Sequence, residues 1–290
     1  MPARRSTRKI AAVADLLRPD LRDALAAWAE RVRGNREQAE RFREAPERPD
    51  FYAPVASVFK ADPHRTDEAA LDLLLSLVDP GDTWLDIGAG GGRYALPLAL
   101  RAKEVVAVDP SDGMLAILRE AMDEHGIGNV RVVQSRWPMA GAPVADVALI
   151  AHVGYDIEEI GPFLDAMEAS ARRLCVAVLL DRAPSSAAEP FWPPIHGEPR
   201  VALPALREFL ALQLARGRLC EVRLTAREAL SYPSPEMVVS FLRQQLFIEP
   251  DGEKDRLLQR LVAERATERG GRYGLAWAPM PLGIVSWRPR

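Results

Sequence analysis

With 290 residues, 48% of them hydrophobic and 27% charged, the chain has the balance of a folded globular domain with an appendage, not of a disordered one. A formal net charge of −3 argues against a dedicated nucleic-acid binder, which carries a basic excess. No apolar run approaches the roughly 18 residues needed to span a bilayer. The basic opening Met1–Lys9 has no apolar segment behind it, so neither a membrane partner nor a secretory signal is expected.

The first predicted element is helical. Leu16, Leu17, Leu21, Leu25, Trp28 and Val32 recur at helical spacing, and residues 31–48 carry Arg and Glu in helix-favouring pairs. Pro46, Pro49 and Pro54 end that run. Phe51, Tyr52 and Phe59 then crowd aromatics into a short segment, readable as an apolar staple onto the core or as a cover over a cleft. This makes residues 1–68 a helical arm and 69–290 the main domain.

A helix is predicted over 67–77, and alternation of strand and helix follows. The strands are 83–87, 104–109, 130–134, 146–151 and 174–181; the helices between them are 94–102, 113–125 and 157–171. Such alternation predicts an α/β fold, a doubly wound and mostly parallel sheet with its ligand crevice at the carboxyl ends of the strands. Residues 183–204 are proline-rich and predicted irregular. A helix over 205–216, a strand over 219–225, helices over 235–246 and 253–268, and an apolar last strand over 280–287 complete the chain. Cys175 and Cys220 sit in apolar runs without a C-x-x-C partner, so structural thiols in a reducing cytoplasm are expected.

The chemistry concentrates after the first strand. Asp86 ends it, and Gly88, Gly90 and Gly92 form a turn whose missing Cβ atoms let a ligand approach the backbone. The second strand ends in Asp109, an acid placed to hold a ribose diol. A dinucleotide fingerprint needs glycine at 93, where the chain has Arg93, and Asp86 would repel a pyrophosphate while suiting a ligand with an amino group.

In the motif from Asp86 to Gly92, followed by Asp109, the chain resembles the class I S-adenosylmethionine-dependent methyltransferases. The resemblance covers residues 70 to 290. It implies a seven-stranded sheet ending in an antiparallel pair, with the 219–225 and 282–287 strands supplying that pair and the 235–268 helices as C-terminal insertions. It implies S-adenosyl-L-methionine as cofactor, with Asp86, Gly88, Ala89, Gly90, Gly92, Asp109, Pro110, Met114, Ser135, Arg136, Trp137, Ala151 and His152 around it. Where the family usually has an adenine-binding acid after the third strand, this chain reads Ser135-Arg136-Trp137, so backbone atoms and the indole would serve. In that family an upstream element often crosses the cofactor mouth, which favours the cover reading of 50–59.

His152 and Tyr155, at the carboxyl end of the fourth strand, are the candidate catalytic groups. His152 reads as a general base or as a pocket histidine bonded to backbone, and Tyr155 as a substrate contact or as packing. Asp156, Glu158 and Glu159 are expected to cap the next helix. Phe191–Arg200 reads as a substrate wall or as a loop anchored by Trp192, and His64 and His125 as solvated. No metal-ligand spacing is present, so no metal is expected. The slot at 151–154 lacks the acid-or-amide Pro-Pro-aromatic signature of amino-methylating enzymes, and neither cysteine suits attack on a pyrimidine carbon. O-, N- or C-methylation of a small molecule is therefore expected, with a tRNA or protein target as the lesser option. A non-catalytic cofactor-binding subunit using the arm as interface, and a nicotinamide-dependent oxidoreductase, are the alternatives. Oligomeric state has no signal in the sequence.

Overall fold

The computed structural model describes residues 19–44, 50, 59–66, 68–276 and 278–290. In chain order the elements are α1 (Leu21–Phe42), α2 (Ala69–Leu75), β1 (Thr83–Ile87), α3 (Ala95–Ala99), β2 (Glu104–Asp109), α4 (Asp112–His125), β3 (Val130–Gln134), β4 (Ala145–Ala151), α5 (Ile160–Ala169) and β5 (Ala171–Leu180). A 3₁₀ helix (Pro184–Phe191) then leads to α6 (Trp192–His196), α7 (Leu206–Ala215), β6 (Glu221–Arg227), α8 (Pro235–Leu246), α9 (Glu253–Arg265), β7 (Thr267–Arg269), β8 (Arg272–Gly274) and β9 (Met280–Trp287).

Seven strands form one sheet in the order β3-β2-β1-β4-β5-β9-β6. The first five are parallel, and β9 runs antiparallel between β5 and β6. This is the seven-stranded α/β architecture expected from the alternation and the resemblance. Both faces are covered, which is why the central strands are continuously apolar. Leu85, Ile87, Val106, Val108 and Ile150 meet α5, α7 and α1 on one face. Trp84, Val105, Ala107, Val147, Leu149 and Ile284 meet α2, α3 and α4 on the other.

The arm is tied into this core. Trp28 and Val32 of α1 are buried in the first cluster, and the Trp28 indole donates to the Ile157 carbonyl at 2.9 Å. Arg33 and Arg36 pair with Glu158, and Gln38 bonds Glu198 and the Pro199 carbonyl. The acids expected to cap α5 are used differently: Glu159 sits at the N-cap without a side-chain bond, and Glu158 serves α1. Leu16, Leu17, Phe51 and Tyr52 lie outside the described residues; Phe59 is 40% exposed.

Two expectations need correction. Residues 183–204 are irregular only after His196: residues 184–196 are helical, with Pro184 and Pro193 at first-turn positions, where no backbone N–H is required. The predicted 253–268 helix stops at Arg265, because Gly270 and Gly271 both take positive φ and turn Thr267–Arg269 back on Arg272–Gly274. A third apolar cluster, built from Phe191, Trp192, Leu242, Leu246 and Leu258, holds these C-terminal elements together.

Candidate active site

The site begins where β1 ends. Gly88, Gly90 and Gly92 have φ of 76°, 53° and 82°, a region that a side chain disfavours. They do different work. A Cβ on Gly88 would strike Val153, and one on Gly92 would strike Leu118 and Leu96, so these two permit packing. A Cβ on Gly90 would meet only the Met114 sulfur at 4.0 Å, so this glycine faces open space. The turn is pinned to β2, with the Gly88 and Ala89 N–H groups donating to the Val108 carbonyl at 2.7 and 3.1 Å.

Asp109 completes the turn. Its Oδ2 accepts from the Gly90 N–H at 2.9 Å and its Oδ1 from the Ser111 N–H at 2.8 Å. Burial pushes its carboxyl up, partly offset by those two N–H groups. The Ser111 hydroxyl donates to Asp50, which also accepts from the Gly113 N–H at the start of α4. Asp86 shares the sheet face of Asp109. Burial first, then the charge of Asp109, push it up to about 7, against an opposing N–H from Ala95. Its Oδ1 is buried with no partner. A buried carboxylate oxygen left unpaired is costly.

The other expected residues arrange around this pair. Met114 is buried against the turn, while Pro110 is exposed beside it. Ser135 donates its backbone N–H to the Asp109 carbonyl at 3.1 Å, its hydroxyl bonds the Arg136 carbonyl, and the Trp137 indole donates to the Phe163 carbonyl at 3.3 Å. Ala151 ends β4, and His152 after it takes φ of 59°, unusual for a residue with a side chain. The His152 Nε2 lies 3.5 Å from the Tyr94 hydroxyl and its Nδ1 has no partner. Burial, then Arg227 and Arg93, push the imidazole down to about 3, so it is neutral near pH 7. The Tyr155 hydroxyl accepts the Leu180 N–H at 2.8 Å, and burial raises its pKa beyond the phenol range.

Sequence reasoning missed a group on the far side of β1. The guanidiniums of Arg65 and Arg93 both bond Glu68 Oε2, at 2.6 and 2.8 Å, and both lie 5.9 Å from the centre of the Tyr94 ring. Arg65 Nη2, Glu68 Oε1 and Arg93 Nε are buried without partners. The only hint was Arg93 itself, in the slot where a dinucleotide fingerprint has glycine. The Phe191–Arg200 segment does not join the site. Trp192 is fully buried against Phe42, His196 and Phe247, and His196 Nε2 bonds the Leu246 carbonyl at 3.0 Å, which matches the anchored-loop reading. His64 is exposed and His125 half-buried, and their rings are tilted 58° to each other with centroids 5.6 Å apart.

Comparison with known proteins bears on the domain and its fold. Residues 85–173 match the family model of a methyltransferase domain. Over 125 residues the chain is 27% identical to the probable cobalt-precorrin-6B C(15)-methyltransferase (decarboxylating) of Methanobrevibacter smithii, covering 41% of this chain and 67% of that protein. Over 75 residues it is 40% identical to a 23S rRNA (uracil(1939)-C(5))-methyltransferase of Alkalilimnicola ehrlichii, covering 26% of this chain but only 16% of that protein. The fold is similar to the crystal structure of the YcgJ protein from Bacillus subtilis, with a TM-score of 0.53 and 15% identity over 76% of this chain and 98% of that one. Residues 85–173 therefore carry a methyltransferase-type domain, set in a sheet whose fold is shared with the YcgJ protein. S-adenosylmethionine is the cofactor that the sequence resemblance implies. The residues present fit that group, since the unpaired Asp86 oxygen suits an ammonium and the space over Gly90 admits a ligand beside the Asp109 carboxylate.

Proposed function

We propose that the chain transfers a methyl group from S-adenosylmethionine to a small-molecule acceptor. When bound, the cofactor supplies an activated methyl group on a sulfonium. The observation that carries the reading is the Asp86–Asp109 pair, one acid with an orphaned oxygen and the other bonded to the glycine turn. In this reading Asp86 faces the ammonium of the methionine part and Asp109 takes the ribose hydroxyls. Met114 and the 135–137 segment line the adenine side. Asp50 adds a third negative charge there, which suits a ligand with two positive centres.

Neutral His152 and Tyr94 lie toward the acceptor. A pKa near 3 makes His152 a weak base, so it acts as a positioning residue that holds a hydrogen bond. Alignment of the nucleophile with the methyl group supplies most of the rate in this picture. The cover reading of the segment before the core is supported by Asp50, which bonds the start of α4, by Lys60, which pairs with Glu120 and Glu124 on α4, and by the Phe59 carbonyl, 3.3 Å from where a Cβ on Gly91 would sit. The two free thiols support a reducing, cytoplasmic setting.

A nucleic-acid acceptor, as named for the uracil-methylating relative, is the competing reading. Attack on a pyrimidine carbon needs a reactive thiol, and burial pushes Cys175 up to about 12 and Cys220 up to about 11. The test is calorimetry with S-adenosylhomocysteine and NAD, followed by radiolabelled methyl transfer to a metabolite panel and to total RNA. Binding of S-adenosylhomocysteine alone, with label in metabolites, is expected. Label confined to RNA would overturn the small-molecule assignment.

A further inference from the structure

Arg227 is the last residue of β6, and its place is fixed by register. Leu180 pairs with Leu282 and Leu282 with Thr225, so Thr225 shares a row with the strand end that holds Tyr155. Arg227 lies two residues beyond that row. Its side chain falls on the same face as Thr225, opposite Met280, and this is the face that carries Asp86 and Asp109. It is half-buried, and among the described residues it makes no hydrogen bond and no ion pair. Burial and the neighbouring Arg93 guanidinium both disfavour its charge. Tyr94, Tyr155, Tyr232 and His152 lie within its field.

The carboxyl edge of the sheet therefore has two electrical halves. Asp50, Asp86 and Asp109 make the β1–β2 end negative. At the β4–β6 end, Arg65 and Arg93 share the carboxylate of Glu68, and Arg227 lies in the field of Arg93 and Glu68 without pairing. A half-buried guanidinium with no partner is unfavourable unless a ligand completes it. Its planar fork matches a carboxylate in two places at once.

We propose that Arg227 receives a carboxylate of the methyl acceptor, so that the substrate is an organic acid. This rests on the methyltransferase reading. The cofactor also carries a carboxylate, and the experiment separates the two sources. Protein saturated with S-adenosylhomocysteine is titrated with benzoate, phenylacetate and hexanoate, and with the matching amides. Acids should bind at least tenfold more tightly than amides. Arg227→Met should remove that preference while leaving S-adenosylhomocysteine affinity within threefold, and Arg227→Lys should restore part of it. Amides that bind wild type as well as the acids overturn the proposal without reliance on any variant. Retained acid binding in Arg227→Met overturns it too. A tenfold loss of S-adenosylhomocysteine affinity in that variant would give Arg227 to the cofactor's own carboxylate instead. Wild type that binds no S-adenosylhomocysteine would fail the cofactor reading itself, a separate result.

Discussion

Asp86 and Glu168 are 2% and 6% exposed, yet the fold treats the two carboxylates in opposite ways. Burial raises the pKa of each. At Glu168, Arg216, Arg218 and the Trp287 indole all bond the carboxylate, and the two guanidiniums bring it below its ordinary value. Asp255, fully buried under α8, is handled alike by Arg243, Gln259 and the Asp251 N–H. At Asp86 nothing offsets burial enough, and one oxygen stays bare. Acids that serve the architecture come with their cations. The acid in the cleft lacks one, and in the proposed function the cofactor's ammonium is the missing partner.

The largest effect should come from breaking the satisfied site. Glu168→Ala strands Arg218, 9% exposed, and leaves Arg216, 6% exposed, with only Asp165 and the Gly161 carbonyl. A loss of about 3–5 kcal/mol in urea unfolding is expected, as for other buried pairs deprived of one partner. S-adenosylhomocysteine affinity of the remaining folded protein should hold within twofold. A small stability loss accompanied by a large affinity loss would erase the contrast between the two sites.

The glycine turn sharpens the comparison within four residues. Gly90→Val adds bulk where only Met114 is near, so binding should fall more than about 100-fold while stability drops by roughly 1–2 kcal/mol from the left-handed backbone. Gly92→Ala should do the reverse, costing about 1–3 kcal/mol of stability through Leu118 and Leu96. Titration and thermal unfolding of both variants decide it; equal effects on binding would mean that Gly90 faces no ligand.

Asp109→Ala removes the proposed ribose contact and leaves the Gly90 and Ser111 N–H groups without their acceptor. An affinity loss on the order of 10- to 150-fold, or about 1.5–3 kcal/mol, is expected. Unchanged binding of S-adenosylhomocysteine would sink that role.

Legibility in the sequence followed the range of the forces involved. The glycine turn, its two acids and the strand alternation are local patterns, and β9 at Met280–Trp287 and α8 at Pro235–Leu246 match their predicted bounds residue for residue. The helices inside 184–196 were hidden because proline reads as a breaker unless its place in the first turn is known. The β7–β8 hairpin was missed although Gly270-Gly271 is a turn signal, since the charged run before it is equally helical. Arg227 and Glu68 were invisible for another reason. They are 159 positions apart, and only the position of β6 beyond β9 brings them to one cleft.

The smallest effect tests the missing cation directly. Asp86 has a folded pKa of about 7 against an ordinary 3.8. An acid raised in this way stabilises the fold fully below its unfolded value, and that contribution is lost as pH rises through the folded one, here between about 4 and about 7. Asp86→Asn keeps the shape and removes the titration. The ligand-free variant should therefore be more stable than wild type, by a margin that grows by about 1 kcal/mol between pH 6 and pH 8 and then levels off. Saturating S-adenosylhomocysteine should abolish or reverse that margin, because its ammonium favours the ionised carboxylate that the asparagine cannot provide. Urea unfolding at the two pH values, with and without ligand, reads both parts. A margin independent of pH would mean that Asp86 does not titrate in this window. A margin that survives saturation would mean that the ligand's amine lies elsewhere, and Asp86 would then be a buried acid with no partner at all.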